Sequence, residues 1–317
     1  MATHIMGPER ETLHGVFSRD LPPALTVDSG DTVVLSTLAA GWSLEPPGGS
    51  GEHRRFEDFR PEWRGEGHAL CGPIAVRGAE PGSTLEIRIA DLRTATWGQT
   101  FAGGLYPKEF NQRLGIDDRE ERLDWRLDPD TLTGRDQHGH TITLRPFMGV
   151  MGMPPDEPGL HPTKPPRATG GNIDCKELIT GSRLFLPIAV AGGFISVGDG
   201  HGLQGDGESS GTAIECPMER ADLTFHLHPD LTIATPRAET PEGWLTFGFD
   251  EDLDEAMAIA LGAMLDLMGE QYELGRREAL ALASLLVDLR ITQVVNGVRG
   301  VHAVLSHSAR PSLMVGA

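Results

Sequence analysis

The chain has 317 residues and a formal net charge of −19 at pH 7, which excludes nucleic acid as an expected partner and disfavours an anionic membrane surface. Three cysteines are too few, and odd in number, for a disulfide framework, which favours a reducing compartment. Neither a signal peptide nor a run of about 18 apolar residues is visible. We therefore expect a soluble cytoplasmic protein whose ligand is a small neutral or cationic molecule.

The N-terminal part of the chain predicts short β-strands. Forty glycines and 23 prolines interrupt the apolar runs, which is typical of strands and turns rather than of long helices. Two strands are expected between residues 14 and 37, and a further pair at 69–76 and 84–91, the second with alternating apolar residues. This pattern is typical of a β-sandwich or a barrel-like body.

Residues 95–170 are predicted to be an inserted, loop-rich section. The charged run 117–130 lacks helical periodicity and is expected to lie on the surface, and a hairpin tip is expected at 136–140. Residues 146–173 are rich in proline and glycine, which predicts an ordered loop that covers a pocket. His161 lies in this loop and could reach a substrate.

The stretch 198–215, GDGHGLQGDGESSGTAIE, is the densest group of polar side chains. Predicted strands flank it, at 184–197 and at 212–216. An acidic residue among glycines is usually a solvated turn former, and this explanation suffices for any single one. Five candidates in one window instead favour a divalent metal bound by oxygen and nitrogen ligands, with Asp174 as a further contributor. These five candidates are Asp199, His201, Asp206, Glu208 and Glu215.

The C-terminal quarter predicts two helices. Apolar residues recur at three-to-four spacing over 250–268, with acidic residues at the N-terminal end, and again over 277–288. Short strands are expected around the helices, at 221–233, 289–295 and 302–305.

The expected fold class is mostly β with an α+β C-terminal part. A sandwich- or barrel-like body of short strands would carry the acidic loop. We expect this β-rich body over residues 1–240, and the α+β region with its two helices over 241–317.

Three well-known motifs match the acidic stretch without their structural context. The G-x-G-x-x-G pattern at 200–205 leads into acidic residues that would repel a pyrophosphate. The G-x-S-x-G pattern at 207–211 precedes a predicted strand, whereas a nucleophile elbow needs a helix. An EF-hand loop would need a glycine at its sixth position, where Gln204 stands.

The segment GGNIDCKEL at 170–178, together with the acidic stretch that follows it, closely resembles the acetamidase/formamidase family. The likeness extends to the Gly-Pro and Gly-Ala-x-Pro-Gly turns within 68–82 and to residues 288–296. Members of this family hydrolyse small amides such as formamide and acetamide to the carboxylic acid and ammonia. Relatives act on γ-lactams, and a bound zinc is typical.

The resemblance implies that the acidic stretch is an active site and that its metal is zinc. We expect Asp174, Asp199 and His201 to hold the metal, which would polarise the amide carbonyl and lower the pKa of a bound water. Asp199 could instead orient His201 without binding the metal.

A free carboxylate, either Glu208 or Glu215, is expected to take the proton of the water and deliver it to the leaving nitrogen. Asp206 is expected to be a ligand, or to raise the pKa of that base by like-charge proximity. Asn172 and Gln204 are suited to recognising an amide group.

Three alternatives stay open at this point. The substrate could be a γ-lactam that is opened by the same chemistry. The chain could be a non-catalytic, metal-stabilised β protein. It could also be a metal-independent amidase with Cys175 or Ser210 as nucleophile. A homo-oligomer is the expected state of assembly.

Overall fold

The computed structural model describes residues 1–46, 65, 67–104 and 108–309. Within these ranges the chain forms 21 strands and three α-helices, which we number in chain order. Most strands belong to two large sheets, and the two longer helices lie near the C-terminal end. The predicted fold class, mostly β with an α+β C-terminal part, is confirmed.

The largest sheet contains nine strands. In spatial order they are β1 (Thr3–Met6), β5 (Thr32–Leu35), β17 (Met218–His228), β7 (Thr84–Thr94), β15 (Arg183–Pro187), β18 (Arg237–Glu239), β19 (Gly243–Asp250), β21 (Arg299–Ser306) and β20 (Val287–Gln293). Neighbours run antiparallel, except that β1 and β5 are parallel. Because β18 pairs with β19, this sheet contains strands from both sides of the expected domain boundary at residue 240. The boundary itself stays a prediction.

A second sheet, which we call the site sheet, has six strands. They are β14 (Gly170–Asn172), β12 (Phe147–Gly152), β16 (Ile195–His201), β6 (Leu70–Val76) and β2 (Leu13–His14) in spatial order, with β4 (Leu25–Val27) also paired to β6. Every residue of β6, β12, β14 and β16 is buried. A strand buried on both faces shows no apolar–polar alternation, so its period carries little sequence signal.

Two smaller sheets complete the β structure. One is formed by β11 (Thr141–Thr143), β10 (Thr133–Asp136), β9 (Glu120–Asp128) and β8 (Trp97–Gly103), and the other by β13 (His161–Pro162) and β3 (Val16–Phe17). The predicted hairpin tip at 136–140 is confirmed, since β10 pairs with β11 on either side of it. The section 95–170, predicted to be loop-rich, thus holds six strands, β8 to β13.

One buried cluster takes side chains from both large sheets. Ile87 and Phe225 reach it from the nine-stranded sheet, and Phe147 and Val197 reach it from the site sheet. The two sheets therefore pack as layers of a sandwich. Neither closes into a barrel within the part of the chain that the structure describes.

The three helices are α1 (Lys108–Arg113), α2 (Leu253–Tyr272) and α3 (Arg276–Leu286). Both helices predicted for the C-terminal quarter are confirmed. The Asp252 side chain caps α2 by accepting a hydrogen bond from the Asp254 amide at 2.8 Å, which satisfies one of the free N–H groups of the first turn. Among the described residues, no helix has the length and apolar character needed to cross a membrane.

The prediction of an irregular loop over 146–173 is wrong in its first part, because Phe147–Gly152 is strand β12. The glycines of this strand permit close backbone approach instead of breaking the structure. A Cβ at Gly152 would lie 2.2 Å from the amide nitrogen of Gly171 on β14.

The strand predicted for 212–216 is also wrong. This segment makes only isolated bridges, from Glu215 to Gln99 and from Glu215 to His201. It crosses the end of the site sheet rather than joining it as a strand.

We predict opposite effects for two glycine substitutions in the C-terminal part. Gly248→Ala on β19 should destabilise the protein by about 1–3 kcal/mol, because its Cβ would lie 2.0 Å from the Ala256 carbonyl of α2. Gly262→Ala within α2 should stabilise it by about 0.5–1 kcal/mol, because its Cβ meets only ordinary contacts and helical glycine is entropically unfavourable. Urea unfolding of both variants measures this, and equal effects would contradict the packing of α2 on β19.

Candidate active site

The last residues of β16 carry two of the predicted ligands, Asp199 and His201, and both side chains are buried. Strand β12 runs beside β16, and the Phe147 ring meets the His201 ring edge-on at a centroid distance of 4.9 Å. On the other side of β12, Asp174 follows the last residue of β14 by two positions. Three adjacent strands therefore bring these side chains together from separate parts of the sequence.

Two groups of donor atoms share the His201 imidazole. Asp174 and Glu208 form one group with it, and Asp199 and Glu215 form the other. Within each group, one donor atom from each residue lies within 4.8 Å of the others. His201 Nε2 lies 3.3 Å from Asp199 Oδ1 and 3.4 Å from Glu215 Oε2. The structure thus brings together five of the six positions that the resemblance pointed to.

Many donor atoms of this site have no hydrogen-bond partner among the described residues. They are Asp174 Oδ1, Asp199 Oδ1, Glu208 Oε2 and both ring nitrogens of His201, although Asp199 Oδ1 and His201 Nε2 form an ion-pair contact at 3.3 Å. Each buried polar atom left unpaired costs about 1–3 kcal/mol, so such atoms are rare in folded proteins. A divalent cation would pair with them and neutralise the carboxylates, and a set of oxygen and nitrogen donors suits such an ion. The side chains of this site therefore fit a metal.

Backbone strain marks the same residues. Asp174, Asp199 and Glu208 hold φ angles of 53°, 59° and 46°, in the left-handed region that residues with a Cβ seldom adopt. Each such residue costs roughly 1–3 kcal/mol and persists only where the surroundings enforce it. Strain at three of the four clustered carboxylates indicates that their placement serves a function.

Gly149, in the middle of β12, provides the space in which the donor atoms meet. A Cβ at this position would lie 2.6 Å from Asp199 Oδ2, 2.7 Å from Asp174 Oδ1 and 2.9 Å from His201 Cε1. Its φ angle is not in the left-handed region, so the backbone does not require a glycine here. What this position requires is a residue without a side chain. Sequence analysis missed it, although a glycine inside an apolar run can signal a close approach.

Two amide side chains hold Asp174 in place. Asn296 Nδ2 donates a hydrogen bond to Asp174 Oδ2 at 2.8 Å, and Gln204 Nε2 donates one to the Asp174 carbonyl at 2.8 Å. Gln204 was expected to bind substrate, and its Oε1 is unpaired among the described residues. Asn296 was missed, and the only signal for it is that it lies in the C-terminal segment 288–296 that resembles the family.

Burial and charge interactions within the site raise the pKa values of three of its groups. Burial, followed by the Asp199 charge, raises the pKa of Asp174 to about 8. Burial and the Asp174 charge also raise the pKa of Glu208 well above its ordinary value. Burial disfavours the charged form of His201, but Glu215 and Asp199 outweigh it and raise the pKa of His201. Because like charges repel in a buried site, several carboxyl groups keep protons unless a cation joins them.

Besides Gln204, three predicted residues are not part of these groups. Asp206 Oδ1 lies 3.0 Å from Lys176 Nζ in a partly exposed ion pair. His161 lies on β13, where its Nε2 is 3.2 Å from the Glu157 carbonyl. Asn172 donates to the Lys164 carbonyl at 3.1 Å, while its Oδ1 is buried and unpaired among the described residues. Their predicted roles stay predictions.

The two alternative nucleophiles have unfavourable surroundings. The Cys175 thiol is buried and donates to Glu177 Oε2 at 3.2 Å, and burial with the Glu177 charge raises the pKa of Cys175 well above its ordinary value. Ser210 donates to the Thr212 carbonyl at 3.2 Å. A nucleophile needs a neighbouring base or a lowered pKa. Ser210 has no base among these contacts, and the Cys175 thiol, although next to the Glu177 carboxylate, has a raised pKa.

Cavities reach the site from two sides. A cavity of about 240 Å³ is lined by Gln204, Glu208 and Ser210, among others. Another, of about 380 Å³, is lined by Gln99, Phe101 and Glu215. Both can admit a small molecule, and each exposes one of the two glutamates to it.

We predict that Gly149→Ala removes the function of this site, because the new methyl group would displace at least one carboxylate. Displacements of about 1 Å in an active site cost on the order of 100-fold in rate, and metal binding should weaken in parallel. Gly202→Ala is the matched control, since its Cβ meets only ordinary contacts of 3.4 Å or more. Isothermal titration with zinc compares the two, and unchanged binding by Gly149→Ala would contradict the assignment of the metal site.

Comparison with known proteins identifies one family and relatives with related names. A family model described as the Acetamidase/Formamidase family matches residues 2–161 and 159–298. A formamidase of Methylophilus methylotrophus is 27% identical over 245 residues, which cover 62% of this chain and 59% of that protein. An acetamidase of Mycolicibacterium smegmatis is 26% identical over 254 residues, covering 62% and 61%. The match thus spans about three fifths of the length of these curated relatives.

Solved structures share the fold over nearly the whole chain. An acetamidase from Yersinia enterocolitica superimposes with a TM-score of 0.82 at 24% identity, covering 98% of this chain and 93% of that one. A γ-lactamase from Delftia acidovorans gives a TM-score of 0.61 at 20% identity, covering 99% and 95%.

Proposed function

Since this chain belongs to the acetamidase/formamidase family, we propose that it hydrolyses the C–N bond of a small linear amide, of the formamide or acetamide type, to a carboxylate and ammonia. The observation that carries the proposal is the site itself, in which four buried side chains and the half-buried Glu215 converge and leave donor atoms unpaired. Its cavities suit a small substrate, and a neutral amide is not repelled by the carboxylates.

A divalent cation, most simply zinc, would be held by Asp174, His201 and Asp199, which are the shared imidazole and one carboxylate from each of the two donor groups. When bound, that cation supplies a Lewis acid for the amide carbonyl and lowers the pKa of a water molecule. Asn296 keeps the Asp174 carboxylate oriented through its 2.8 Å hydrogen bond, and Gly149 leaves the space in which substrate and donor atoms meet. Phe147 packs against the His201 ring and fixes its plane.

Glu208 is the better of the two candidate bases. Its Oε2 is unpaired among the described residues, and the side chain lines the same cavity as Gln204. Glu215, by contrast, has Oε1 held by the Ala213 amide at 2.8 Å and Oε2 close to His201. A glutamate with a raised pKa is suited to accept a proton and to donate it in a later step.

The proton then follows a simple path. Glu208 accepts a proton from the attacking water while the water oxygen bonds to the carbonyl carbon. The same carboxyl group gives this proton to the nitrogen as the C–N bond breaks, which releases ammonia and leaves the carboxylic acid. Gln204 lines the same cavity, and its unpaired Oε1 would accept a hydrogen bond from the N–H group of the amide.

A γ-lactam is the second candidate substrate, since ring opening would use the same groups and the fold is shared with a γ-lactamase. Formamide, acetamide and a γ-lactam are therefore assayed side by side. A protein that binds zinc but turns over none of the three would instead support a non-catalytic, metal-stabilised role.

We predict that Glu208→Gln lowers kcat by about 100- to 10,000-fold, the usual contribution of a general base. The substitution keeps the shape of the side chain, so the melting temperature should not fall. Glu219→Gln, which changes a half-exposed glutamate next to Arg93, serves as the control and should retain full activity. Ammonia release is the measurement, and near-normal turnover by Glu208→Gln would overturn its role as the base.

Removal of the metal gives an independent test. Treatment with a chelator should abolish ammonia release, and addition of zinc should restore it, because the donor atoms would lose the cation that neutralises them. Activity that persists after chelation, with metal removal verified by elemental analysis, would exclude the metal-dependent mechanism. It would favour Cys175 or Ser210 as the nucleophile.

A further inference from the structure

A second group of metal-ligating side chains lies outside the active site. Cys175, Glu177 and His302 are all buried, and one donor atom from each lies within 4.8 Å of the others. Cys175 and Glu177 belong to the turn that follows Asp174, whereas His302 is on β21 in the nine-stranded sheet. The mechanism proposed above uses none of these three residues.

Two of the three donor–donor distances are close to those around a single ion. Glu177 Oε2 lies 3.2 Å from Cys175 Sγ and 3.6 Å from His302 Nε2. In a tetrahedral zinc site, with metal–donor distances of about 2.0–2.3 Å, neighbouring donors are roughly 3.3–3.8 Å apart. A thiolate, an imidazole and a carboxylate are also the donors that zinc prefers.

His302 supplies an observation independent of the cysteine. Its side chain is fully buried, and Nε2 points to Glu177 without a hydrogen-bond partner among the described residues. Its Nδ1 is 2.8 Å from Thr292 Oγ1, and a hydrogen bond from Nδ1–H to this hydroxyl leaves the lone pair of Nε2 facing the group. A histidine that binds a metal typically has its second nitrogen fixed in this way. Burial also lowers the pKa of His302, which favours the neutral imidazole that a metal requires.

One oxygen of Glu177 is fixed by an arginine, and the other faces the group. Arg290 Nη1 donates to Glu177 Oε1 at 3.2 Å, which leaves Oε2 facing Cys175 and His302. The thiol of Cys175 would release its proton to solvent when a metal binds, because coordination deprotonates a cysteine.

We propose that Cys175, Glu177 and His302 form a second metal site, for zinc or a similar thiophilic divalent ion, separate from the active site. An ion there joins the turn that carries Asp174 to β21 of the nine-stranded sheet. Its role is structural, because it stabilises the turn that positions Asp174. The site does not depend on amide hydrolysis, because none of its ligands takes part in that reaction.

Cobalt gives a selective test, because a cysteine ligand produces a sulfur-to-cobalt charge-transfer band in the near ultraviolet. The active-site groups contain no sulfur donor, so the band reports on the second site alone. We expect Co²⁺ added to the reduced, metal-free protein to produce this band, and we expect it to be absent in Cys175→Ser. Cys71→Ser is the control and should keep it, since Cys71 lies against the Ser36 carbonyl. No band in the unmodified protein, or a band that survives Cys175→Ser, would overturn the proposal.

Thr292→Val provides a milder change in case Cys175→Ser fails to fold. Losing the hydroxyl that fixes His302 should weaken cobalt binding, measured by the same band, by about 10- to 100-fold, the usual effect of such partners. Circular dichroism should stay unchanged. Equal cobalt affinity in Thr292→Val and the unmodified protein would contradict binding through His302. Glu208→Gln should keep the band while losing turnover, which separates this inference from the proposed function.

Discussion

The structure depends on one electrostatic constraint, which is that four carboxylates, three buried and one half-buried, must converge on a single imidazole. In a low-dielectric interior such groups repel one another, and each loses hydration. The surrounding protein is arranged to hold them there. Strands β12, β14 and β16 provide a rigid sheet, Gly149 leaves the central space, and Asn296 and Gln204 hold Asp174 from two directions.

The same constraint explains why the two layers cannot be separated without loss of the site. Asp174 leaves the site sheet after β14, yet its partner Asn296 follows β20 in the nine-stranded sheet, and His302 lies on the adjacent strand β21. The C-terminal part therefore does more than cover the β body, since it fixes a carboxylate at the centre of the site. Packing of α2 on β19 and β21 supports these strands from the outer side.

The sequence was sufficient to predict which neighbouring residues cluster in the candidate site. It was insufficient to predict the residues that reach the site from distant parts of the chain. The acidic stretch and the family likeness identified Asp174, Asp199, His201, Glu208 and Glu215, and the family is confirmed. The three-to-four spacing of apolar residues located the two C-terminal helices. Strand β12 was mistaken for a loop because its glycines serve close packing, and Asn296 acts on Asp174 across 122 positions of chain, a distance that local patterns do not reveal.

Asp206 shows that proximity in sequence does not by itself place a side chain in the cluster, and its predicted role stays a prediction. It lies between the clustered residues, but its side chain turns outward to Lys176. In a glycine-rich loop each side chain can point in a separate direction, so composition identifies the site without identifying its members.

The left-handed backbone at Asp174, Asp199 and Glu208 has an evolutionary consequence. Replacement of any of them by glycine would relieve strain and raise stability while deleting a donor atom, so selection for stability alone would erode this site.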